Sequence, residues 1–452
     1  MTRVTGSLYA LEVFGVLSIF ALYRLTAKES FIEAWLSLWG VIFVGSVAAA
    51  IAAAWLLFGW YGDLRRTGSS KWWIGVTVNI VVAGLLVMAA EIAVRWCAVQ
   101  TTYDEEVAGR TLLPRQWSKV AAAYGLVLDK AESQPTYLIA DEELGWTVGP
   151  SRKSENELYF SSSEGLRSAA QGVSLNHKSP GCRIALIGDS FTFGESVRFE
   201  ETWGEHLASR FGGRCQVLNF GVIGYGIDQI HFRYLRDVRP WRPDIVIFSF
   251  IEDDLRRTVS VYGFLTFPDG RFPFAKPRFH LKGDEIVQLP LGSASPRVLF
   301  AKSTIHDLPG INFDVGYRPL EWERSEWRWL SHSYLWRLLV TVYPLRDRER
   351  PEVSRHELLR LNKALIVKLT ESIGREGARP LIVFFPDRDY LANGAGGGAG
   401  IRVLKEAQVP FVDMTACLKN LGPELFTADG HYSPTGNQQA AHCLSEHVQA
   451  VM

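Results

Sequence analysis

A serine, a glycine loop and a group of carboxylates each stand where an apolar run of this sequence ends, and an Asp/His pair stands near its carboxyl terminus. Gly188-Asp189-Ser190-Phe191-Thr192-Phe193-Gly194 follows directly on the run Ile184 to Ile187. A Ser at such a strand-to-helix turn is held at the carboxyl edge of a sheet, with backbone N–H groups free to face a substrate. An ordinary helix N-cap is the other reading of the same residues. The next run ends in Asn219-Phe220-Gly221-Val222-Ile223-Gly224-Tyr225-Gly226. Glycines there let the backbone approach a reacting carbonyl and turn one N–H towards a developing oxyanion. A third run ends in Glu252-Asp253-Asp254, and Asp429-Gly430-His431-Tyr432-Ser433-Pro434 stands before the last helical stretch. Hydroxyl, imidazole and backbone donors on one rim are what acyl transfer through a serine requires.

The elements that must bring these residues together are short apolar runs without helical period at Ile184 to Ile187, Val217 to Phe220, Ile245 to Phe250, Leu381 to Phe385 and Phe411 to Val412. Such runs mark strands buried on both faces. Between them lies helical sequence. Trp203, Leu207 and Phe211 recur at i, i+4 and i+8, Leu358, Leu359, Leu361, Leu365 and Leu369 form an apolar stripe, and Pro434 to Val448 closes the chain. Alternation of this kind implies an α/β fold, a parallel sheet with helices on both sides. It stops between about Arg256 and Pro351, where an insertion with a hairpin at Gly283-Asp284 is expected. That insertion serves either as the wall of a substrate groove or as a lid or packing element. The Gly394 to Gly400 run lacks the Lys and Ser/Thr of a phosphate loop and is expected to be a flexible surface loop.

In this order and context the chain resembles the SGNH (GDSL-type) hydrolase superfamily over roughly Arg183 to Val448, less the insertion. Its flanking residues are similar to those of the membrane-associated bacterial branch. The resemblance implies a flavodoxin-like three-layer fold and hydrolysis or transfer of ester-linked acyl groups. It places Ser190 as nucleophile, His431 as catalytic base, and the Ser190 and Gly224 N–H groups in the oxyanion hole. Two positions depart from the family pattern. Asp253 stands where the family has an Asn whose amide is the remaining oxyanion donor. An ionised carboxylate only accepts hydrogen bonds, so Asp253 donates only if burial beside Asp254 and Glu252 keeps it protonated. Asp429, the candidate for the acid that orients the base, precedes His431 by two residues rather than three. The strands that follow Cys182 and Cys215 are parallel neighbours in this fold, so these two cysteines are expected to pair, leaving Cys417 with Cys443.

The chain has 452 residues, 48 Lys+Arg against 48 Asp+Glu, 47% hydrophobic residues and a mean hydropathy of +0.03. Zero net charge supplies no field for a polyanion, so no nucleic-acid partner is expected. No His/Cys spacing of a zinc site occurs, and neither metal nor cofactor is expected. The hydrophobic excess lies in the first hundred residues. Between Arg3 and Arg24 the only charge is Glu12, and Ala34 to Trp60 and Trp72 to Ala90 carry none. A helix rises about 1.5 Å per residue and the hydrocarbon core is about 30 Å thick, so about 20 apolar residues span it. Three transmembrane helices follow as the expectation, with Trp35, Trp39, Trp55, Trp60, Trp72, Trp73 and Trp96 as interfacial anchors.

Arg3 and the loop of Arg65, Arg66 and Lys71 are then cytoplasmic, which makes the chain a multi-pass protein of the cell membrane with a periplasmic carboxyl-terminal domain. Four of the five cysteines fall in that domain, as disulfides in an oxidising compartment would require. The expected division is a membrane domain over 1–98, a connector over 99–178 with a helix near Gln116 to Lys130, and the hydrolase-like domain over 179–452 with its insertion at about 256–351. The expected partners are an acylated glycan or other ester, the lipid bilayer and a separate membrane acyltransferase. The competing function is a glycan-binding or assembly module that keeps the fold without catalysis.

Overall fold

A computed structural model of the chain describes residues 72–175, 181–268, 272–289, 295–322, 329–342, 355–392 and 398–452. The chain divides into two compact units, Met1–Ala123 with Arg318–Arg348 and Tyr124–Tyr317 with Glu349–Met452. Residues 124–178 of the expected connector thus fall in the second unit, and the last part of the expected insertion falls in the first.

The second unit is built on a seven-stranded sheet of β1 (Phe160–Ser161), β2 (Arg167–Ser168), β3 (Cys182–Ile187), β4 (Cys215–Asn219), β5 (Ile245–Phe250), β6 (Arg379–Phe384) and β7 (Phe411–Asp413) in the order β7-β6-β5-β3-β4-β2-β1. The five strands β3 to β7 are parallel. β2 and β1 extend the sheet antiparallel at the β4 edge. Each central strand is apolar throughout because successive side chains leave on opposite faces and both faces are covered. Ala185, Ile187, Val246, Phe248 and Phe250 pack into one core with Ile227, Ile230, Leu365, Leu369 and Leu404. Ile184, Leu186, Ile245 and Ile247 pack into the other with Trp203, Leu207, Leu444 and Val448. The helices are α1 (Ser190–Phe193), α2 (Trp203–Arg210), α3 (Ile227–Arg233), α4 (Glu252–Arg257), α5 (Arg355–Arg375), α6 (Ala399–Ala407) and α7 (Pro434–Val451). The result is a three-layer α/β/α unit. β4 lies on one side of β3 and β5 on the other, so the chain reverses direction across the sheet beside β3. The carboxyl ends at such a point form a crevice.

The hairpin of the insertion pairs Phe279–Lys282 with Glu285–Gln288, Lys282 opposite Glu285. Cys182 is bonded to Cys215 and Cys417 to Cys443. Such bonds persist in oxidising surroundings.

In the first unit the helix Trp72–Cys97 runs through the third of the uncharged stretches. Among the described residues no helix is long and apolar enough to cross a membrane. This overturns the expectation of three transmembrane helices, and with it the multi-pass cell-membrane placement and the periplasmic orientation drawn from it. The stretches from Arg3 to Arg24 and from Ala34 to Trp60 lie outside the described residues. A count of uncharged residues stops at Ala90, but the helix continues through Glu91 and Arg95. Glu91 accepts hydrogen bonds from the Ser333 hydroxyl (2.8 Å) and from the Tyr334 and Leu335 N–H groups (2.9 and 2.8 Å). Arg95 donates to the His332 carbonyl at 3.1 Å. The last turns of the helix are thereby tied into polar contacts with residues 332–335.

Candidate active site

Ser190 opens α1 immediately beyond the carboxyl end of β3. Asp189, in extended conformation, caps this short helix by accepting the Phe191 N–H at 3.0 Å, and Gly194 ends it in the left-handed region. The turn closes this tightly because residue 188 has no side chain. A Cβ there would stand 1.9 Å from Thr192 Oγ1 and 2.6 Å from the Ser249 carbonyl. Thr192 and Ser249 are joined through their hydroxyls, which fastens α1 to β5. The β4 loop is fastened to the same turn. The Asn219 amide donates to the Thr192 carbonyl (2.8 Å), its Oδ1 accepts the Gly221 N–H (2.9 Å), and the Val222 N–H reaches the Gly188 carbonyl (3.1 Å). Gly224, farther along the loop, has φ +79°, and a Cβ there would press on Phe267.

His431 arrives from the opposite end of the sequence. Ser433 caps α7 by accepting the Gly436 N–H at 3.1 Å, and Pro434 begins the helix. Asn437 binds the Trp203 N–H at 3.0 Å, so α7 is registered against α2. Tyr432 is buried and donates to the Pro386 carbonyl at 2.9 Å. With these anchors fixed, His431 Nε2 lies 2.9 Å from Ser190 Oγ.

The surroundings set the charge of each group. Burial depresses the His431 pKa, and the Asp429 carboxylate only partly offsets it, so the imidazole is neutral at pH 7 and able to accept a proton. Asp429 Oδ2 stands 3.3 Å from His431 Nδ1, within ion-pair range but without the alignment of a hydrogen bond. Burial pushes the Asp429 pKa up, but hydroxyl donors from Ser196 and Thr427, together with His431, outweigh it and hold the carboxyl at about 2.

Glu195 was not singled out in the sequence. Its Oε2 is 3.2 Å from the same His431 Nε2 that meets Ser190. Burial first, and then the charge of Asp429, push its pKa up to about 8. At neutral pH it is mainly the uncharged acid.

Asp253 behaves oppositely to the protonated donor expected of it. Its oxygens accept from Arg256 Nε and Arg257 Nε, each at 3.0 Å. Burial raises its pKa, but the two guanidinium charges more than reverse that and leave it below the usual carboxylate range. A charged acceptor held by two cations cannot donate to an oxyanion. Of the neighbouring acids, Glu252 accepts the Ala399 and Gly400 N–H groups (2.6 and 2.9 Å) at the start of α6. Asp254 accepts from Arg257 Nη1 at 2.7 Å. Burial, and the charge of Asp189, push its pKa well up. The structure thus brings Ser190, His431 and Asp429 together, with Glu195 beside them, while Asp253 turns to Arg256 and Arg257. A spacing signal for Arg257 was present, since a carboxylate and a cation at i and i+4 share a helix face. None existed for Glu195.

No family model matches the chain, and no curated protein sequence matches it. Solved structures to which it is similar include a member of the lipolytic G-D-S-L family from Veillonella parvula, at 11% identity over 59% of this chain and 97% of that one, with a TM-score of 0.31. A lipase/acylhydrolase from Enterococcus faecalis is 12% identical over 60% of this chain and 96% of that one, TM-score 0.31. A catalytic mutant of an acetylxylan esterase from Geobacillus stearothermophilus is 13% identical over 60% and 96%, TM-score 0.31.

Proposed function

We propose that the chain is a serine ester hydrolase of the SGNH type. Ser190 is its nucleophile, His431 its general base, Asp429 the charge that steadies the imidazolium, and the Ser190 and Gly224 N–H groups its backbone oxyanion donors. The observation that carries this reading is the 2.9 Å contact between Ser190 Oγ and His431 Nε2, which joins residues 241 positions apart.

Nε2 takes the hydroxyl proton as Oγ bonds to the ester carbonyl carbon, and the carbonyl electron pair moves onto oxygen. The tetrahedral anion collapses by expelling the alcohol, which leaves with the proton from Nε2. A water molecule, deprotonated by the same nitrogen, then attacks the acyl-enzyme, and the carboxylic acid departs as Ser190 regains its proton. Asp429 stays ionised throughout, because a group with a pKa of about 2 takes no proton from an imidazolium.

A fluorophosphonate probe and an acetyl ester such as p-nitrophenyl acetate or an acetylated sugar test this. Wild-type protein is expected to be labelled and to hydrolyse the ester. Ser190→Ala should abolish labelling and lower kcat by roughly 10⁴-fold or more. Folded wild-type protein that takes up no probe and cleaves no ester would instead favour a binding module that keeps the fold without catalysis.

A further inference from the structure

With Asp253 unable to donate, the site as described has backbone donors alone. We propose that Arg257 is the third donor of the oxyanion hole, and that Asp253 serves to hold it there. This rests on the serine-hydrolase reading above.

The guanidinium is bracketed by the neighbours of both backbone donors. Its Nη1 lies 3.7 Å from Oδ2 of Asp189, the residue before Ser190, and 3.4 Å from the carbonyl of Tyr225, the residue after Gly224. It is held in that place from behind. Asp253 takes Nε at 3.0 Å and Asp254 takes Nη1 at 2.7 Å, both from the same turns of α4. Arg257 also lines one cavity with Gly224, Tyr262 and Phe267, whose lining does not include Ser190 or His431, and its Cζ sits over the Phe267 ring at 5.1 Å. Among the described residues Nη2 has no acceptor, so this nitrogen keeps its hydrogen-bonding capacity for another group. The charge of Arg257 also acts on His431 and Glu195, which places it within the field of the reacting groups. A fixed, buried guanidinium offers a charge-assisted donor where a neutral amide would offer an ordinary one. The Asn-to-Asp exchange is then a relay. The carboxylate at 253 gives up the donor role and positions a cation four residues on.

The test uses the full chain, measuring kcat and KM on p-nitrophenyl acetate, affinity for a boronic acid that adds to Ser190 as a tetrahedral anion, and thermal unfolding. Arg257→Met is expected to lower kcat by roughly 100 to 1000-fold with KM little changed, and to weaken the boronic acid by a similar factor. Adding Asp253→Asn to Arg257→Met should recover part of the lost kcat, because an amide then stands where one can donate. A purely structural Arg257 predicts otherwise: lowered thermal stability, unchanged boronic acid affinity in the folded fraction, and no recovery in the double variant. That result, or wild-type kcat in Arg257→Met, overturns the proposal. If Arg257→Met does not fold, Arg257→Lys keeps the charge without the planar fork. A folded Arg257→Lys with lowered kcat supports the assignment and wild-type kcat overturns it. Failure of the underlying reading looks different, since wild-type protein would then take up no fluorophosphonate or Ser190→Ala would hydrolyse the ester normally.

Discussion

Two acids beside one imidazole carry opposite charge states. Asp429 is ionised down to about pH 2, whereas Glu195 holds its proton up to about pH 8. As pH rises, His431 loses its proton below the ordinary imidazole value because burial depresses its pKa, and kcat/KM should climb there. Near pH 8 Glu195 ionises. Its carboxylate, 3.2 Å from Nε2, then draws the imidazole towards imidazolium and lays negative charge beside the forming oxyanion, so kcat/KM should fall. Glu195→Gln keeps the shape and removes the titration. The alkaline limb should vanish in that variant while the acid limb remains, and an alkaline limb that persists unchanged would assign it to another group. The residue scale is also where sequence and structure part most clearly. Ser190 and Gly224 were legible as candidates because each sits in a motif that follows a strand, and His431 because its motif stands directly before the last helix. Glu195 was not, because its role depends on the distant His431 that it meets, and the i, i+4 spacing of Asp253 and Arg257 was a signal that went unused. Asp253 was misjudged because crowding among acids was weighed and the two arginines beside it were not.

At the scale of elements, the five parallel strands were readable as apolar runs, since burial on both faces removes any polar alternation. The two-residue strands β1 and β2 carry no such signal, because they join the sheet only through pairing with β4 and with each other. The apolar stretch beginning at Trp72 misled for a related reason, as hydropathy does not record that Glu91 ends up holding residues 333–335. What sharpens the site is the approach of the loops after β3 and β4. A Cβ on Gly221 would stand 2.4 Å from the Phe193 N and 2.8 Å from the Thr192 carbonyl carbon, both backbone atoms that cannot swing aside. Gly221→Ala must therefore push the β4 loop off α1. Overpacking of this kind costs about 1–3 kcal/mol. Because the same loop carries Gly224, the loss of kcat should exceed what the fall in folded fraction explains. Thermal unfolding and kcat on the same preparation separate the two, and an unchanged melting temperature would show that the loop absorbs the methyl group.

For the molecule as a whole, the first unit shows how a chain that departs for some two hundred residues is brought back. Glu105 accepts hydrogen bonds from Lys119, Tyr334 and Arg337, and Arg337 also donates to the Leu112 carbonyl at 3.0 Å. Val94, Val107, Leu112, Leu338 and Val342 pack into one apolar cluster of the same unit. Burial pushes the Glu105 pKa up, but its three donors and the Arg337 charge outweigh that and lower it to about 2. A carboxyl whose folded pKa lies below its unfolded value contributes stability that is fully present above the ordinary value near 4.5. That stability is lost as pH falls towards about 2. Arg337→Met takes the buried cation from this carboxylate and leaves it Lys119, which costs at most about 3–5 kcal/mol at pH 7. At pH 3 the penalty should shrink, because Glu105 without the Arg337 charge takes up a proton more readily. Glu105→Gln combined with Arg337→Met should recover much of the loss at pH 7, since two uncharged side chains need no counter-ion. Urea unfolding of the three proteins at both pH values decides the matter. An equal penalty for Arg337→Met at pH 7 and pH 3 would mean that packing of the long side chain, and not the charge of Glu105, is what returns residues 329–342 to this unit.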